Sequence, residues 1–379
     1  MSRPERISKT EAWVIAPLDK AVRSSLARIA LEDDVRRIAV MPDVHLSKDA
    51  CVGVVIATRT GIYPQAVGSD IGCGMAAARL SRRDWEFSDR DARNLLNGLQ
   101  RLVPASRHGA KTAVSRLPDE LTDQPLSANA LEAHKRRDGR VQFATLGRGN
   151  HFLELQQDES GDYWVMVHTG SRAMGRYITE HHLKHANGGT PLKRIDADSQ
   201  AGRNYLNDLG WARRYAELSR LSILTPTELV FEHTMGARVE WDSVISCEHN
   251  HVQVERHFGE LLWVHRKGAA PAGVGVPGIV PGSMGSSSFH TRGRGCSSAL
   301  CSSSHGAGRV MSRTQARHAV SLKALSRQMR GVWFDSTIAE RLRDEAPEAY
   351  KDIGKVMRAQ RELTAVVRKL RPILSYKGT

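Results

Sequence analysis

Two hydrophobic periods alternate along the chain. Leu18, Val22, Leu26 and Ile29 recur at helical spacing, opposed by Lys20, Arg23 and Arg28, which predicts an amphipathic helix over residues 17–31. The run Arg37-Ile38-Ala39-Val40-Met41 then reads as a short strand leading into Pro42-Asp43-Val44-His45, and residues 52–57 read as a buried strand. Residues 81–140 are charged and weakly periodic, with helices expected around 88–102 and 128–138 and no chemistry of their own. A strand is expected to continue from the glycine turn before Phe152, with others over 163–167 and 260–264. Helices are expected over 174–188 and 205–222. Ile353, Val356, Val366 and Leu370 are read as one face of a long helix over 350–370, ended by Pro372.

With 379 residues, 40% of them hydrophobic and 25% charged, the chain can bury a sizeable core, as two or three ordinary domains or one large one. Lys and Arg outnumber Asp and Glu by 55 to 41, a formal net charge of +14. Such an excess favours a polyanionic partner, most simply nucleic acid. Five cysteines stand in no framework spacing, and the charged start lacks the apolar core of a signal peptide. No run approaches the roughly 20 apolar residues that span a bilayer. The expectation is a cytoplasmic, reduced protein with free thiols and no membrane partner.

The densest candidate chemistry lies in Gly68-Ser69-Asp70-Ile71-Gly72-Cys73-Gly74-Met75. Three glycines let the chain fold tightly enough for Asp70 and Cys73 to converge. A carboxylate and a thiolate at one point suggest a divalent metal; the bland alternative is a tight turn with an inert cysteine. Asp43 and His45 sit where a strand gives way to a loop. His151 follows Gly147-Arg148-Gly149-Asn150, and an extended chain there points Asn150, Phe152 and Glu154 away from His151. His168 enters Thr169-Gly170-Ser171-Arg172, a second glycine-bearing strand end with a histidine. His181, His182 and His185 have apparent metal spacing but read as a helix surface. In Cys247-Glu248-His249-Asn250-His251, Asn250 is suited to orient a neighbouring backbone, and either histidine can point inward. Arg266-Lys267-Gly268 suits phosphate contact or a solvated turn. Residues 270–309 are rich in Gly and Ser, yet Pro281-Gly282-Ser283-Met284-Gly285 and Ser304-His305-Gly306-Ala307-Gly308-Arg309 read as ordered, anion-binding loops.

Seven strings in this order (DIGCGM, TLGRGNHF, HTGSR, HNH after Cys247, HRKGA, PGSMG and SHGAGRVMSR) resemble the RtcB family of RNA ligases over nearly the whole chain. The resemblance implies an α+β fold, a single large catalytic domain over 1–379 with central stacked β-sheets and outer helices, and with 81–140 as a helical, charged, more variable insertion. It implies GTP-dependent joining of RNA 3′-phosphate or 2′,3′-cyclic-phosphate ends to 5′-OH ends, in RNA repair or tRNA splicing. Asp70, Cys73, His151, His168 and His249 are then the ligands of a two-Mn²⁺ centre, with Cys73 bridging. His305 becomes the nucleophile that carries GMP, and Asp43 the carboxylate that orients it. Asn150, Phe152, Glu154, Ser283, Met284, Ser288, Gly306, Ala307, Gly308, Tyr350 and Lys377 match guanylate-binding positions together with His305. Arg172, Arg309 and Arg313 match positions that meet RNA or nucleotide phosphates. An archease-like activator or another RNA-repair partner belongs to the same family pattern.

The chain departs from that pattern at Ser47, Asp49, Ser69, Ser219 and His251, none of which removes an implied ligand or the nucleophile. These departures fit a paralogue that repairs specific cleaved RNAs. Two other functions compete with ligation: a metal-dependent RNA-end phosphodiesterase, which has no use for His305 or GTP, and a non-catalytic RNA binder, which has no need of all six of Asp70, Cys73, His151, His168, His249 and His305.

Overall fold

Val22, Leu26 and Ile29 form the buried stripe of the helix Lys20–Ala30. They pack on Ile38, Val40, Val54 and Ile56 of a five-stranded sheet. This computed structural model describes residues 9–82, 85–109, 112–187 and 192–378. The charged start at residues 1–8 and Thr379 lie outside them. The first sheet runs in the order Thr10–Ala12, Val35–His45, Val52–Thr58, Glu260–Lys267, Asn250–His257. The strand expected over 37–41 continues to His45, carrying Pro42 within it. Proline has no N–H to donate to a ladder, and the pairing with Val52–Thr58 accordingly skips from Val40 to His45. Asp43 lies in that skipped segment and is buried.

The second sheet holds eight strands. Seven run in the order Pro277–Val280, Ser288–Gly293, Thr364–Lys377, Phe152–Asp158, Tyr163–Thr169, Gly74–Leu80, Val239–Glu248, and Trp333–Phe334 pairs in parallel with Leu374 and Ser375. Leu153, Leu155, Val165 and Val167 of this sheet pack with Leu95, Leu96 and Leu99 of the helix Asp89–Leu102 and with Ile223, Leu224 and Phe231 of the helix Gln200–Met235. The charged stretch 81–140 therefore supplies part of the core. Its first helix opens on a reciprocal Ser88–Asp91 capping box. The second expected helix, over 128–138, is split into Asn129–His134 and a π-helical turn at Lys135–Gly139.

The helix expected over 205–222 extends to Gln200–Met235, 36 residues. Ser199 caps its start by accepting from the Gly202 N–H, and Gly236, at φ 63°, ends it in the left-handed conformation that glycine adopts without Cβ strain. Residues 270–309 are no linker: Ala269–Pro271 pairs with Ser302–Ser304, and Pro277–Val280 with Ser288–Gly293. The architecture is α+β. No described helix is long and apolar enough to cross a membrane.

The long helix expected over 350–370 does not form. A seven-residue helix, Ile353–Ala359, is followed by the 14-residue strand Thr364–Lys377. Thr364, Val366 and Val367 are β-branched, and the strand is hydrogen-bonded to Ser288–Gly293 and Phe152–Asp158, a long-range pairing that outweighs local helical spacing. Pro372 sits inside the strand at a register shift, where no ladder donor is required.

Candidate active site

Strand ends of both sheets deliver side chains to one cavity of about 460 Å³. Gly74–Leu80 begins just after Cys73, Tyr163–Thr169 ends around His168, and His249 lies between Val239–Glu248 and Asn250–His257. Cys73 Sγ lies 3.3 Å from His168 Nε2 and 3.5 Å from His151 Nε2. Asp70 Oδ2 lies 2.9 Å from the same His151 nitrogen. The donor atoms of Cys73, His151 and His168 all fall within 4.8 Å of one another. The His249 ring is 5.2 Å from that of His168.

Local backbone explains this convergence. Gly170 is pressed against Asp70, so that a Cβ there would stand 2.3 Å from Oδ1. Asn250 donates to the Asp70 carbonyl at 3.1 Å and accepts from the Gly268 N–H at 2.8 Å, which turns His249 inward as its neighbour. His251, left open by the sequence, is instead buried against Arg266.

Electrostatics make the cluster unusual. Burial pushes the Cys73 thiol well above its ordinary range, and the adjacent Asp70 carboxylate pushes it further. Burial holds His168 and His249 well below the usual imidazole range, so both are neutral and have lone pairs to offer. Partial burial disfavours ionisation of Asp70, yet its bond to His151 holds the carboxyl below its ordinary value. Asp70 Oδ1 is buried without a hydrogen-bond partner. A carboxylate, a thiol and neutral imidazoles packed in contact, with a carboxylate oxygen unpaired, form a donor set that a divalent cation fits. A bound cation would also deprotonate the thiol.

His305 stands beside this set, its ring 4.7 Å from that of His249. The strand Ser302–Ser304 carries it in, pinned by Gln360, which accepts from the Ser304 N–H at 2.9 Å and from its hydroxyl at 2.8 Å. Its Nδ1 is 2.6 Å from Asp43 Oδ2, leaving Nε2 as the nitrogen that Asp43 does not engage. Gly308, at φ 74°, is pressed on the Asp43 backbone; a Cβ would stand 2.2 Å from the Asp43 carbonyl oxygen.

The other side of the cavity is shaped for a polar ring and an anion. Glu154 is buried, accepting from Gln156 at 2.9 Å and from Ser375 at 3.3 Å, and burial raises its carboxyl to about 7. Lys377 lies 5.5 Å above the Phe152 ring centroid and 2.6 Å from Glu345.

Residues 26–378 match the protein family described as tRNA-splicing ligase RtcB. Two Escherichia coli proteins, RNA-splicing ligases RtcB1 and RtcB, are each 36% identical to the chain over 394 residues, covering 96% of it and 95% of their own length. The tRNA-splicing ligase RtcB of Nanoarchaeum equitans is 30% identical over 425 residues, covering 91% of this chain and 88% of its own. The chain belongs to the RtcB family.

Placed on this RtcB-family fold, most sequence-derived positions meet in the cavity. Asp70, Cys73, His168 and His249 line it, as do Asn150, Phe152, Glu154, Ser283, Met284, Tyr350 and Lys377. The loop of His305, Gly306, Ala307 and Gly308 lines it too, followed by Arg309 and Arg313. Asp43 and His151 stand one layer behind, in contact with His305 and Cys73 respectively. Ser288 is buried beneath, bonded to Gln156 at 3.1 Å, and does not line the cavity. Arg172 also lies outside the lining: it donates to Thr145 and Ala105 and stands 3.4 Å from His151 Nδ1.

Two readings are corrected, and one residue was not foreseen. Arg266 is not a phosphate contact but is buried in a double ion pair with Glu255, because its strand turns it into the core. Lys267 does line the cavity. Of the three histidines read as helix surface, His182 is buried and paired with Asp208 at 2.7 Å. Glu345 was missed altogether. It faces Lys377, Tyr350, Arg309 and Arg313; despite burial, Lys377, Arg313 and Tyr350 hold its carboxyl down to about 2. Nothing in Asp344-Glu345-Ala346 marks this acid out in the sequence; the C-terminal strand brings Lys377 to it.

Proposed function

We propose that this chain is an RNA ligase that joins RNA 3′-phosphate or 2′,3′-cyclic-phosphate ends to 5′-OH ends, through a guanylate carried on His305. The observation that carries this reading is the pair His305–Asp43 set beside the Asp70/Cys73/His cluster within one cavity. Asp43 accepts a hydrogen bond from Nδ1–H, which holds the tautomer whose Nε2 lone pair is free to attack. Attack on the α-phosphorus of GTP forms the P–N bond and breaks the α–β bridge, releasing pyrophosphate. An oxygen of the RNA 3′-phosphate then displaces His305, giving an RNA(3′)pp(5′)G end. The 5′-OH attacks the RNA phosphorus of that end, the new phosphodiester forms, and GMP leaves. A cyclic end is first opened by water to the 3′-phosphate.

Asp70, Cys73, His151, His168 and His249 would hold the metal, two Mn²⁺ in our reading. Metal there neutralises charge on the transferring phosphates. Glu154 accepts from the guanine N1–H and exocyclic amine, Lys377 caps the ring beside Phe152, and Asn150, Ser283, Met284, Tyr350 and the Gly306-Ala307-Gly308 loop enclose the nucleotide, with Ser288 supporting them from below. Arg309 and Arg313 meet phosphates, and Arg172 acts by fixing His151. The whole chain then works as one catalytic unit in the cytoplasm, where its five free cysteines stay reduced, with an archease-like protein as a candidate activator.

Guanylylation tests the reading. The protein is incubated with Mn²⁺ and α-labelled GTP, denatured, and assayed for acid-labile label beside His305→Ala. Label lost in the variant supports the ligase. Opening of 2′,3′-cyclic ends without any label means a phosphodiesterase.

A further inference from the structure

The helix Gln200–Met235 touches the segments that carry the metal-cluster side chains. Arg220 donates through one guanidinium nitrogen to the Gly72 carbonyl at 2.6 Å and to the Thr169 carbonyl at 3.1 Å. Gly72 precedes Cys73 and Thr169 follows His168. Two turns earlier, Arg213 Nε grips both oxygens of Glu248, the residue before His249, at 2.9 and 3.1 Å. Ser219 accepts from the Ala144 N–H at 3.0 Å, at the start of the turn that leads to His151. The Gly72 loop is pressed on the helix itself, since a Cβ there would stand 2.9 Å from the Arg213 Cα.

Arg220 is only 2% exposed, and its Nε has no hydrogen-bond partner. Taking a guanidinium out of water is costly unless fixed acceptors compensate. Here two backbone carbonyls from two different strand ends do so. A single planar donor group spanning both fixes their separation, and with it the distance between the Cys73 sulfur and the His168 nitrogen.

We propose that Arg220 is a positioning residue for the metal centre, setting the Cys73–His168 geometry through the Gly72 and Thr169 carbonyls. The proposal rests on the metal reading of that cluster. Outer partners that orient metal ligands contribute about 10–100-fold to metal affinity. Lysine cannot replace this function fully, because its ammonium is a freely rotating point charge without the rigid guanidinium plane that aims the two hydrogens of one nitrogen at the two carbonyls.

The full chain, stripped of metal, is titrated with Co²⁺ while the visible bands and the thiolate-to-cobalt charge-transfer band are recorded. Arg220→Met is expected to remain folded by circular dichroism, bind Co²⁺ about 10–100-fold more weakly and lose or shift the thiolate band. Arg220→Lys is expected to recover only part of that loss. Arg214→Ala, a change on the same helix as Arg220 that removes surface pairs with Glu120 and Glu217, should match the wild type. Wild-type affinity and band in both Arg220 variants would overturn the proposal. If Arg220→Met does not fold, Arg220→Lys decides alone: weakened binding supports it, wild-type binding overturns it. Cys73→Ser separates the two ideas. If the wild type shows no thiolate band that Cys73→Ser removes, the metal reading falls and the proposal with it.

Discussion

Asp43 and His305, 262 positions apart, meet through a 2.6 Å contact between Oδ2 and Nδ1, and the same oxygen accepts the backbone N–H of His305 at 3.2 Å. One carboxylate oxygen therefore fixes both the ring and the main chain of the proposed nucleophile. Asp43→Asn keeps the shape but can present an amide N–H to Nδ1, which then has to be the unprotonated nitrogen and leaves the proton on Nε2. The rate of labelling with α-labelled GTP should fall on the order of 10⁴-fold, as expected for a wrong tautomer. Binding of a fluorescent GTP analogue should change little. An unchanged labelling rate would remove Asp43 from the mechanism.

The Cys73 cluster gives a second measurable consequence. Burial and the adjacent Asp70 carboxylate keep the Cys73 thiol protonated in the free protein, and one Asp70 oxygen has no hydrogen-bond partner. A cation that binds the native state alone stabilises it by about 2.7 kcal/mol at a hundredfold excess over its Kd. Added Mn²⁺ should raise the midpoint of thermal unfolding of the wild type, and a chelator should reverse the gain. In Cys73→Ala the midpoint should no longer respond to Mn²⁺. An identical response in the variant would mean that the ion binds elsewhere.

Much of this site is legible in the chain because each half of it lies in a short, glycine-flanked string. Asp70 with Cys73, and His305 with its small-residue loop, are pairings of local spacing. Recognising that Asp43 belongs with His305 took the family resemblance, since no local pattern links residues so far apart. The strand Thr364–Lys377 was misread as helix for the same physical reason. Its stability comes from partners on both edges, Ser288–Gly293 and Phe152–Asp158, and a pattern of four apolar positions cannot report partners. With that strand misplaced, Lys377 has no visible neighbour, and nothing in the sequence marks Glu345 out from Asp344 beside it.

Glu345 supports the next prediction. Its carboxylate is buried and bonded to Lys377 Nζ at 2.6 Å and the Tyr350 hydroxyl at 2.7 Å. Removing one partner of a buried pair strands the other charge, at a cost of about 3–5 kcal/mol. Glu345→Ala should lower stability by that order in denaturant unfolding and weaken GTP binding, because Lys377 loses its anchor. Lys377→Met should rescue part of the stability of Glu345→Ala, so that the double variant loses less than the sum of the singles. Strict additivity would mean that the pair is not coupled.

The buried Glu154 carboxyl makes nucleotide recognition depend on pH. Burial raises it from an ordinary 4.5 to about 7, with Gln156, Lys377 and Ser375 pulling the other way. A neutral carboxyl cannot accept both guanine donors, so GTP affinity should climb as pH rises towards 7, by up to about tenfold per unit, and level off above it. The sign for stability is opposite. A carboxyl whose folded value is raised contributes stability that is fully present below 4.5 and lost as pH rises through about 7. In the free protein that loss amounts to roughly 3 kcal/mol by pH 8. Glu154→Gln should flatten both curves and reduce the preference for GTP over ATP, because an amide offers one acceptor where the carboxylate offers two. Calorimetric GTP titrations and thermal unfolding between pH 5 and 8 test the pair together. A wild-type affinity that stays level across this range would show that Glu154 is ionised throughout, and that the neighbouring Lys377 outweighs its burial.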